Sequence, residues 1–398
     1  MIKENNKKKI LIISQYFPPD SSGGGTRAYN YAKCLTEQNF EVTVITAYPH
    51  LHGKIEKKET QEKDKKENFS IIRVWIPSIL HSSIRNRIFL HLSFIFSSLK
   101  PIFSLNPDFI FASEPNLFSI IPAYFFSKIR GGKIIRIVDD LWPEVFYERK
   151  IVKSKILKLI LNKLAKFSYN FPDFVIPLSE EAKKHITKLY KINPKKIIVI
   201  THGVDVKQFY PKKKINDNEF VVMYSGALVE SYNFELIINA AKELRNENIK
   251  FIIRGIGPLQ KTLKKRIEEL KLKNISIDEK FVEKYEISDV LGETDVFIVP
   301  LKDDYFLNLS LPTKILEFQA VSKPIICCSD GAPGNYVKTT NSGLSIPCNN
   351  LPMLIESIKK LMNDKELSKK LGENGVKYIN ENQTFKKIGE KFKELLNY

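Results

Sequence analysis

The sequence predicts an α/β protein in two domains, each a parallel sheet with helices on its faces. Three observations lead there. The chain has 398 residues, too many for one ordinary core, and its 43% hydrophobic and 11% aromatic content excludes a disordered chain. Short apolar runs of strand length alternate with segments of helical period almost throughout. The alternation also restarts: a polar linker, PKKKINDNE, is followed at Phe220 by a fresh strand, glycine turn and helix. The expected division is 1–205 and 206–375, with 376–398 a terminal helical segment crossing to the first domain.

Charge narrows the partners. Against 45 Asp and Glu stand 63 Lys and Arg, a formal net charge of +18, which favours a phosphate-bearing substrate, an acidic membrane surface or nucleic acid. Nucleic acid fits least, because no aromatic stacking platform accompanies the basic residues. Cys34, Cys327, Cys328 and Cys348 have no metal-ligand spacing; they read as reduced thiols in a reducing compartment. MIKENNKKK runs into only a short apolar stretch, ILIIS, so neither a signal peptide nor a full membrane span is expected there.

In the first half, residues 10–14 read as a buried strand, followed by QYFPPDSSGGGTRAYNYAKCLTEQ. Gly23, Gly24 and Gly25 are expected to form a loop where backbone approaches a phosphate or sugar closely, with Thr26 capping the next helix and Arg27 in its first turn. The glycines are contiguous, so this is neither GxGxxG nor a P-loop. After a strand at 40–46 comes a polar excursion at 50–70, then a strand at 71–76. Residues 88–99 are apolar and aromatic without formal charge, framed by Arg85, Arg87 and Lys100. They are too few to cross a bilayer; they either lie in its anionic interface or pack on the sheet.

Strands at 109–112 and 133–138 follow, with a helix at 118–128 between them. The second opens onto DDLWPEVFYER, where Asp139, Asp140, Trp142 and Glu144 gather just past a strand end. Open α/β sheets bind ligands at that edge, and a carboxylate there can position an acceptor hydroxyl or take its proton; a helix cap is the plainer alternative. Residues 153–167 predict a basic amphipathic helix with Ile156, Leu157, Ile160, Leu164 and Phe167 as its apolar face. A strand at 197–200 then leads to THGVDVKQF and His202, a cleft residue or a turn histidine bonded to backbone.

In the second half, strands at 221–224 and 249–254 deliver the turns at Gly226 and at Gly255 and Gly257 in GIGP. Short glycine turns suit a diphosphate but also simply close βα units. The richest stretch is NLSLPTKILEFQAVSKPIICCSDG at 308–331. Pro312 opens a helix over 312–321, with Thr313, Lys314 and Glu317 in its first turns. A cation beside unpaired helix-start amides favours an anion. Alternatively Lys314 and Glu317 make a surface i,i+3 ion pair worth about 0.2–0.5 kcal/mol.

Together these segments resemble the retaining glycosyltransferases of family 4, of GT-B architecture: two facing Rossmann-like domains, with C-terminal helices packed across the junction. YFPPDSSGGGTRAYNYAKCLTEQNFEVTVIT, THGVD, YSGALVE, GIGP and LPTKILEFQAVSKPII appear in family order over nearly the whole chain. VDDLWPE is similar to the bacterial surface-polysaccharide branch that includes N-acetylfucosamine transferases. The resemblance implies sugar transfer, with retention, from a nucleotide-sugar, UDP-linked and without a required metal or other cofactor. The acceptor it implies is a polyprenyl-diphosphate-linked glycan, reached from the cytoplasm by a peripheral enzyme on the inner face of the membrane.

By that resemblance Glu317 contacts the ribose, Lys314 lies near the diphosphate, Gly226, Gly255, Gly257, Pro312 and Thr313 line the nucleotide pocket, and Asp139 or Asp140 stands near the acceptor. Three positions depart from the pattern: Leu309 replaces a first glutamate, Ala227 to Ser231 lack the usual Arg and Lys, and His202 replaces an asparagine before GVD. Lys314 is left as the favoured phosphate cation. The competing classes are an epimerase cleaving UDP-N-acetylglucosamine and a basic protein binding anionic polymer or RNA.

Overall fold

The computed structural model describes residues 7–20, 23–49, 61–63, 68–77, 84–113, 117–148, 150–215, 218–280, 282–283 and 285–397. Most of the polar excursion at 50–70 and the side chains of Arg85 and Arg87 lie outside the described residues. Contacts gather the chain into two compact units, Met1–Thr201 with Phe385–Tyr398, and His202–Thr384.

The first unit runs β1 (Lys9–Ile13), α1 (Gly23–Glu37), β2 (Glu41–Ala47), β3 (Gln61–Lys63), β4 (Ser70–Val74), α2 (Ile84–Leu99), β5 (Phe109–Ala112), α3 (Ile120–Arg130), β6 (Lys133–Ile137), α4 (Glu144–Glu148), α5 (Lys155–Asn170), β7 (Phe174–Ile176) and α6 (Glu180–Tyr190). Its sheet has the order β3-β4-β2-β1-β5-β6-β7, parallel except where the short β3 pairs with β4. Continuous runs such as KILII and FIFA are buried on both faces, as a parallel sheet covered by helices requires. One face packs Ile10, Ile12, Val44 and Phe111 under Ala28, Tyr31 and Leu35 of α1. The other packs Leu11, Ile13 and Ile110 under Leu90 and Phe94 of α2 and Phe126 of α3.

Three local readings change. Gly23, Gly24 and Gly25 are the first turn of α1 instead of a loop before it, so Thr26 lies inside the helix. Residues 197–200 form no strand; only Ile197 bridges to Val175, at the β7 edge. In α5 the core-facing stripe is Leu161, Ala165, Ser168 and Tyr169, which leaves Ile156 and Ile160 outward. Leu164 and Phe167 of the expected face do pack against the core. Residues 88–99 pack on the sheet through one side: Leu90, Phe94 and Ile95 are buried, whereas Phe89, Leu92 and Phe96 are exposed.

The second unit runs β8 (Phe220–Ser225), α7 (Phe234–Glu243), β9 (Ile249–Arg254), α8 (Gln260–Glu269), β10 (Ile275–Asp278), α9 (Ile287–Gly292), β11 (Val296–Pro300), α10 (Thr313–Ala320), β12 (Ile325–Cys328), α11 (Ala332–Thr339), β13 (Gly343–Ile346), α12 (Leu351–Asn363) and α13 (Lys365–Asn382). All six strands are parallel, in the order β10-β9-β8-β11-β12-β13. The chain winds outward from β8 in one direction and from β11 in the other. Their shared carboxyl end is therefore the switch point where open α/β sheets bind ligands. Finally α14 (Phe385–Leu396) returns to the first unit, where Phe392 meets Tyr31 edge-on at 5.0 Å. Gly389 lies so close to the Cys34 carbonyl that a Cβ would come within 2.8 Å of it.

Candidate active site

At the switch point of the second sheet, two βα turns are knitted together through their backbones. Gly226 N–H donates to the Arg254 carbonyl at 3.0 Å, and Leu228 N–H to Ile256 O at 2.9 Å. Gly226 and Gly255 hold φ of +144° and +139°, which L side chains rarely adopt. A Cβ on Gly255 would run into the Gly226 carbonyl, and one on Gly257 into the Leu228 carbonyl. Gly255→Ala is accordingly expected to cost about 1–3 kcal/mol of stability from backbone strain alone. Chemical denaturation reads this directly; an unchanged midpoint would mean that the two turns are not coupled.

The same contacts make room for a cation. Lys314, second residue of α10, is only 9% exposed, and its Nζ occupies the space where Gly226 lacks a Cβ. Nζ donates to Tyr224 Oη at 2.7 Å, and that hydroxyl donates to the Ala227 carbonyl at 2.7 Å. The ammonium also sits 4.1 Å from the Tyr224 ring centroid and 3.9 Å from that of Tyr232, an aromatic clasp on two sides. Backbone pairing sets Tyr232 there: Tyr232 bridges to Leu301, and Asn233 N–H donates to Pro300 O at 2.7 Å, at the end of β11.

Burial pushes Lys314 down to about 7, with Glu317 pulling the other way. Burial pushes Glu317 up to about 6, and Lys314 opposes this. Tyr224 and Tyr232 are raised well above the ordinary phenol, so both stay neutral. The surface ion pair allowed by spacing is not the arrangement seen: the lysine is buried and its hydrogen bond goes to a phenol. The site thus holds a buried amine shifted toward neutrality and, one helical turn on, a carboxyl group shifted toward its protonated form.

Pro312 is the N-cap of α10, with no side-chain cap bond, and Thr313 is exposed at the helix start. The preceding turn is fixed by Asp304, whose carboxylate accepts from the amides of Phe306 and Leu307 at 2.9 and 3.0 Å. Beyond β12, Ser329 Oγ donates to Asn308 Oδ1 at 3.1 Å, and Gly331 abuts the Asn308 backbone. The turns after β8, β9, β11 and β12 therefore converge at one edge. Tyr224 and Tyr232 were not singled out by sequence reasoning; their signal was the YSGALVESY spacing on either side of Gly226.

In the first unit, Asp139 forms an ion pair with Arg27 of α1. Arg27 is buried, donates to Tyr31 Oη at 2.7 Å and to the Val138 carbonyl at 3.4 Å, and lies over the Tyr31 ring. Asp140 is exposed beside it. Glu144 accepts from the Tyr190 hydroxyl, burial raising its pKa, and Trp142 packs on Phe146 at 4.0 Å. The two adjacent aspartates thus differ in burial, Asp139 being half-buried and Asp140 exposed. His202 is half-buried in the second unit. Among the described residues, no group of three or more His, Cys, Asp or Glu side chains is placed to hold a metal ion.

Residues 21–208 match the family described as Glycosyltransferase Family 4, and residues 205–378 the family described as Glycosyl transferases group 1. Together the two matches run over residues 21–378. The candidate site lies in the stretch matching group 1, and the Arg27–Asp139 pair in the stretch matching family 4. A galactosyltransferase of Escherichia coli, UDP-Gal:alpha-D-GlcNAc-diphosphoundecaprenol alpha-1,3-galactosyltransferase, is 29% identical over 54% of this chain and 58% of its own. Other relatives are named for capsular polysaccharide and O-antigen chain synthesis. The chain spans about half the length of the first curated relatives it matches, between 47% and 58%.

Solved structures agree on the fold. Sucrose-phosphate synthase from Thermosynechococcus elongatus superposes with a TM-score of 0.81 at 14% identity, covering 98% of both chains. Anabaena Alr3699/HepE in complex with UDP gives 0.71 at 14% identity, covering 98% of this chain and 99% of its own. The fold is GT-B, with two Rossmann-like domains.

Proposed function

We propose that this chain is a retaining glycosyltransferase that moves a sugar from a nucleotide-sugar to a lipid-linked glycan in surface polysaccharide synthesis. The observation that carries the reading is the buried Lys314 amine, held between Tyr224 and Tyr232 at the switch point of the second sheet. A diphosphate there gains a cation beside the turns at Gly226 and Gly255, while Glu317 accepts from the ribose and Pro312, Thr313 and Gly257 border the nucleotide. The donor is UDP-linked, a choice supported by the UDP complex of a structural neighbour and the UDP-Gal relative. No metal is required, because Lys314 supplies the charge.

The chemistry is front-face. The bond between the anomeric carbon and the diphosphate oxygen breaks, the acceptor hydroxyl forms the new bond on the same face, and its proton passes to the departing diphosphate. Preorganised donors favour the leaving charge more than the intact donor. Asp140 meets the acceptor, and Asp139, held by Arg27, orients it. A polyprenyl-diphosphate acceptor is supported by the diphosphoundecaprenol relative and places the enzyme on the inner face of the cell membrane. VDDLWPE favours the N-acetylfucosamine transferase branch. NMR of the product sugar tests the mechanism: the donor's anomeric configuration is expected, and inversion contradicts it. Donor conversion without any acceptor would point to an epimerase instead.

A further inference from the structure

The segment after β6 carries the exposed Asp140, and its own backbone does little to hold it in one shape. Its helix, α4, has five residues, fewer than a helix needs to stand alone. Its backbone bonds are local: Trp142 N–H to Asp140 O at 3.1 Å, Val145 N–H to Leu141 O at 3.2 Å and Phe146 N–H to Pro143 O at 2.9 Å. Side-chain ties fix it instead. On one side of Asp140, Arg27 holds Asp139. On the other, the hydroxyl of Tyr190, last residue of α6, donates to the Glu144 carboxylate, and Tyr147 Oη donates to Asn162 Oδ1 of α5 at 2.7 Å. Tyr190 is itself braced: it is 9% exposed, its ring stacks on Tyr169 of α5 at 4.5 Å, and the Arg136 guanidinium of β6 lies 5.3 Å from the Tyr169 ring centroid.

Packing alone would not choose this tie. Burial raises the pKa of Glu144. Among the described residues, neither Glu144 Oε2 nor Trp142 Nε1, both buried, meets a hydrogen-bond partner. An apolar pair of the same shape would join α4 to α6 without that penalty. Polar groups retained against stability in a loop point to a function.

We infer that Tyr190 and Glu144 are positioning residues, whose bond sets the backbone that presents Asp140 to the acceptor. This rests on the acceptor role proposed above for Asp140. The ties at Asp139 and Glu144 bracket that side chain, so loosening one lets it leave the geometry that transfer needs.

The double variant Tyr190→Phe, Glu144→Leu tests this, because it replaces both partners by apolar groups and keeps the stacked ring. Its thermal midpoint is expected at or above that of the wild type. Amide hydrogen exchange over residues 139–148 is expected to be about tenfold faster, with the second unit unchanged. With UDP-N-acetylfucosamine and farnesyl-diphospho-N-acetylglucosamine as probes, KM for the acceptor is expected to rise about tenfold while KM for the donor stays. Glu144→Gln keeps an oxygen for the phenol and is expected to remain within about twofold of the wild type in each readout. Exchange over 139–148 as slow as in the wild type, donor and acceptor KM rising together, or an acceptor KM that follows the thermal midpoint would each overturn the inference. The two readings fail differently. A wild type that binds the donor and transfers to no acceptor, with 139–148 loosened in the variant, sinks the transferase. Transfer by the wild type with an unmoved acceptor KM in the variant sinks the positioning alone.

Discussion

Replacing Lys314 by Met is expected to lower nucleotide-sugar turnover by about 10²–10³-fold, the scale for loss of one charge-stabilising donor at a reacting oxygen. The same substitution should leave the fold as stable as before or more so. Burial brings the Lys314 amine down to about 7, below its ordinary value of 10.5. A lysine shifted in that direction weakens the fold fully below pH 7, and the penalty fades as pH rises from 7 toward 10.5. Met keeps the aliphatic stem against Tyr224 and Tyr232 without the charge. Steady-state kinetics and thermal melts at pH 7 check both halves. Wild-type turnover, or a large loss of stability explaining an activity loss, would contradict the assignment of Lys314 to chemistry and not to packing.

The second expected result is proton uptake on donor binding. A diphosphate beside Lys314 favours the ammonium, so above pH 7 the amine must gain a proton as the donor binds. Affinity should be level just below pH 7 and then fall by up to about tenfold per pH unit, the limit for one linked proton. Glu317 titrates at about 6, so the window above 7 belongs to the lysine. Its own linkage has the opposite sign: a carboxyl raised in the fold stabilises below its ordinary value, and that contribution is lost as pH rises through about 6. Tyr224 and Tyr232 stay protonated across the range. Calorimetry at pH 8.5 in buffers of different ionisation enthalpy should find nearly one proton taken up by the wild type and none by Lys314→Met. Equal uptake in both would place the proton elsewhere.

Periodicity made the two sheets and most of their helices legible, because buried parallel strands read as continuous apolar runs and PKKKINDNE interrupts them once. It misread the start of α1, since glycine propensity argues for a loop while the helix-start amides and packing on the first sheet decide otherwise. Ile197 to Ile200 have strand composition and donate from Ile198 and Ile200 to the β7 edge, yet only Ile197 forms a bridge there and no strand results. The face of α5 was legible in part, since Leu164 and Phe167 pack against the core while Ile156 and Ile160 are exposed.

For the site, the PTKILEF stretch singled out Lys314 and Glu317, and the sheet topology gives that stretch its place at the β8/β11 edge. Tyr224 and Tyr232 lie 90 and 82 residues earlier in the chain than Lys314; the YSGALVESY spacing sets them on either side of Gly226, but the lysine they close on is distant in sequence. The Arg27–Asp139 pair is another such case: each residue was noted alone, and only the parallel order β1-β5-β6 brings the following segments together. Side-chain partnerships of this kind arise from topology, which sequence periodicity does not encode.

The most direct measurement is a crystal structure with an intact nucleotide-sugar. A phosphate oxygen within about 3 Å of Lys314 Nζ, with the ribose on Glu317, is the predicted result. A donor bound away from the β8/β11 edge, with the amine still closed between Tyr224 and Tyr232, would contradict it.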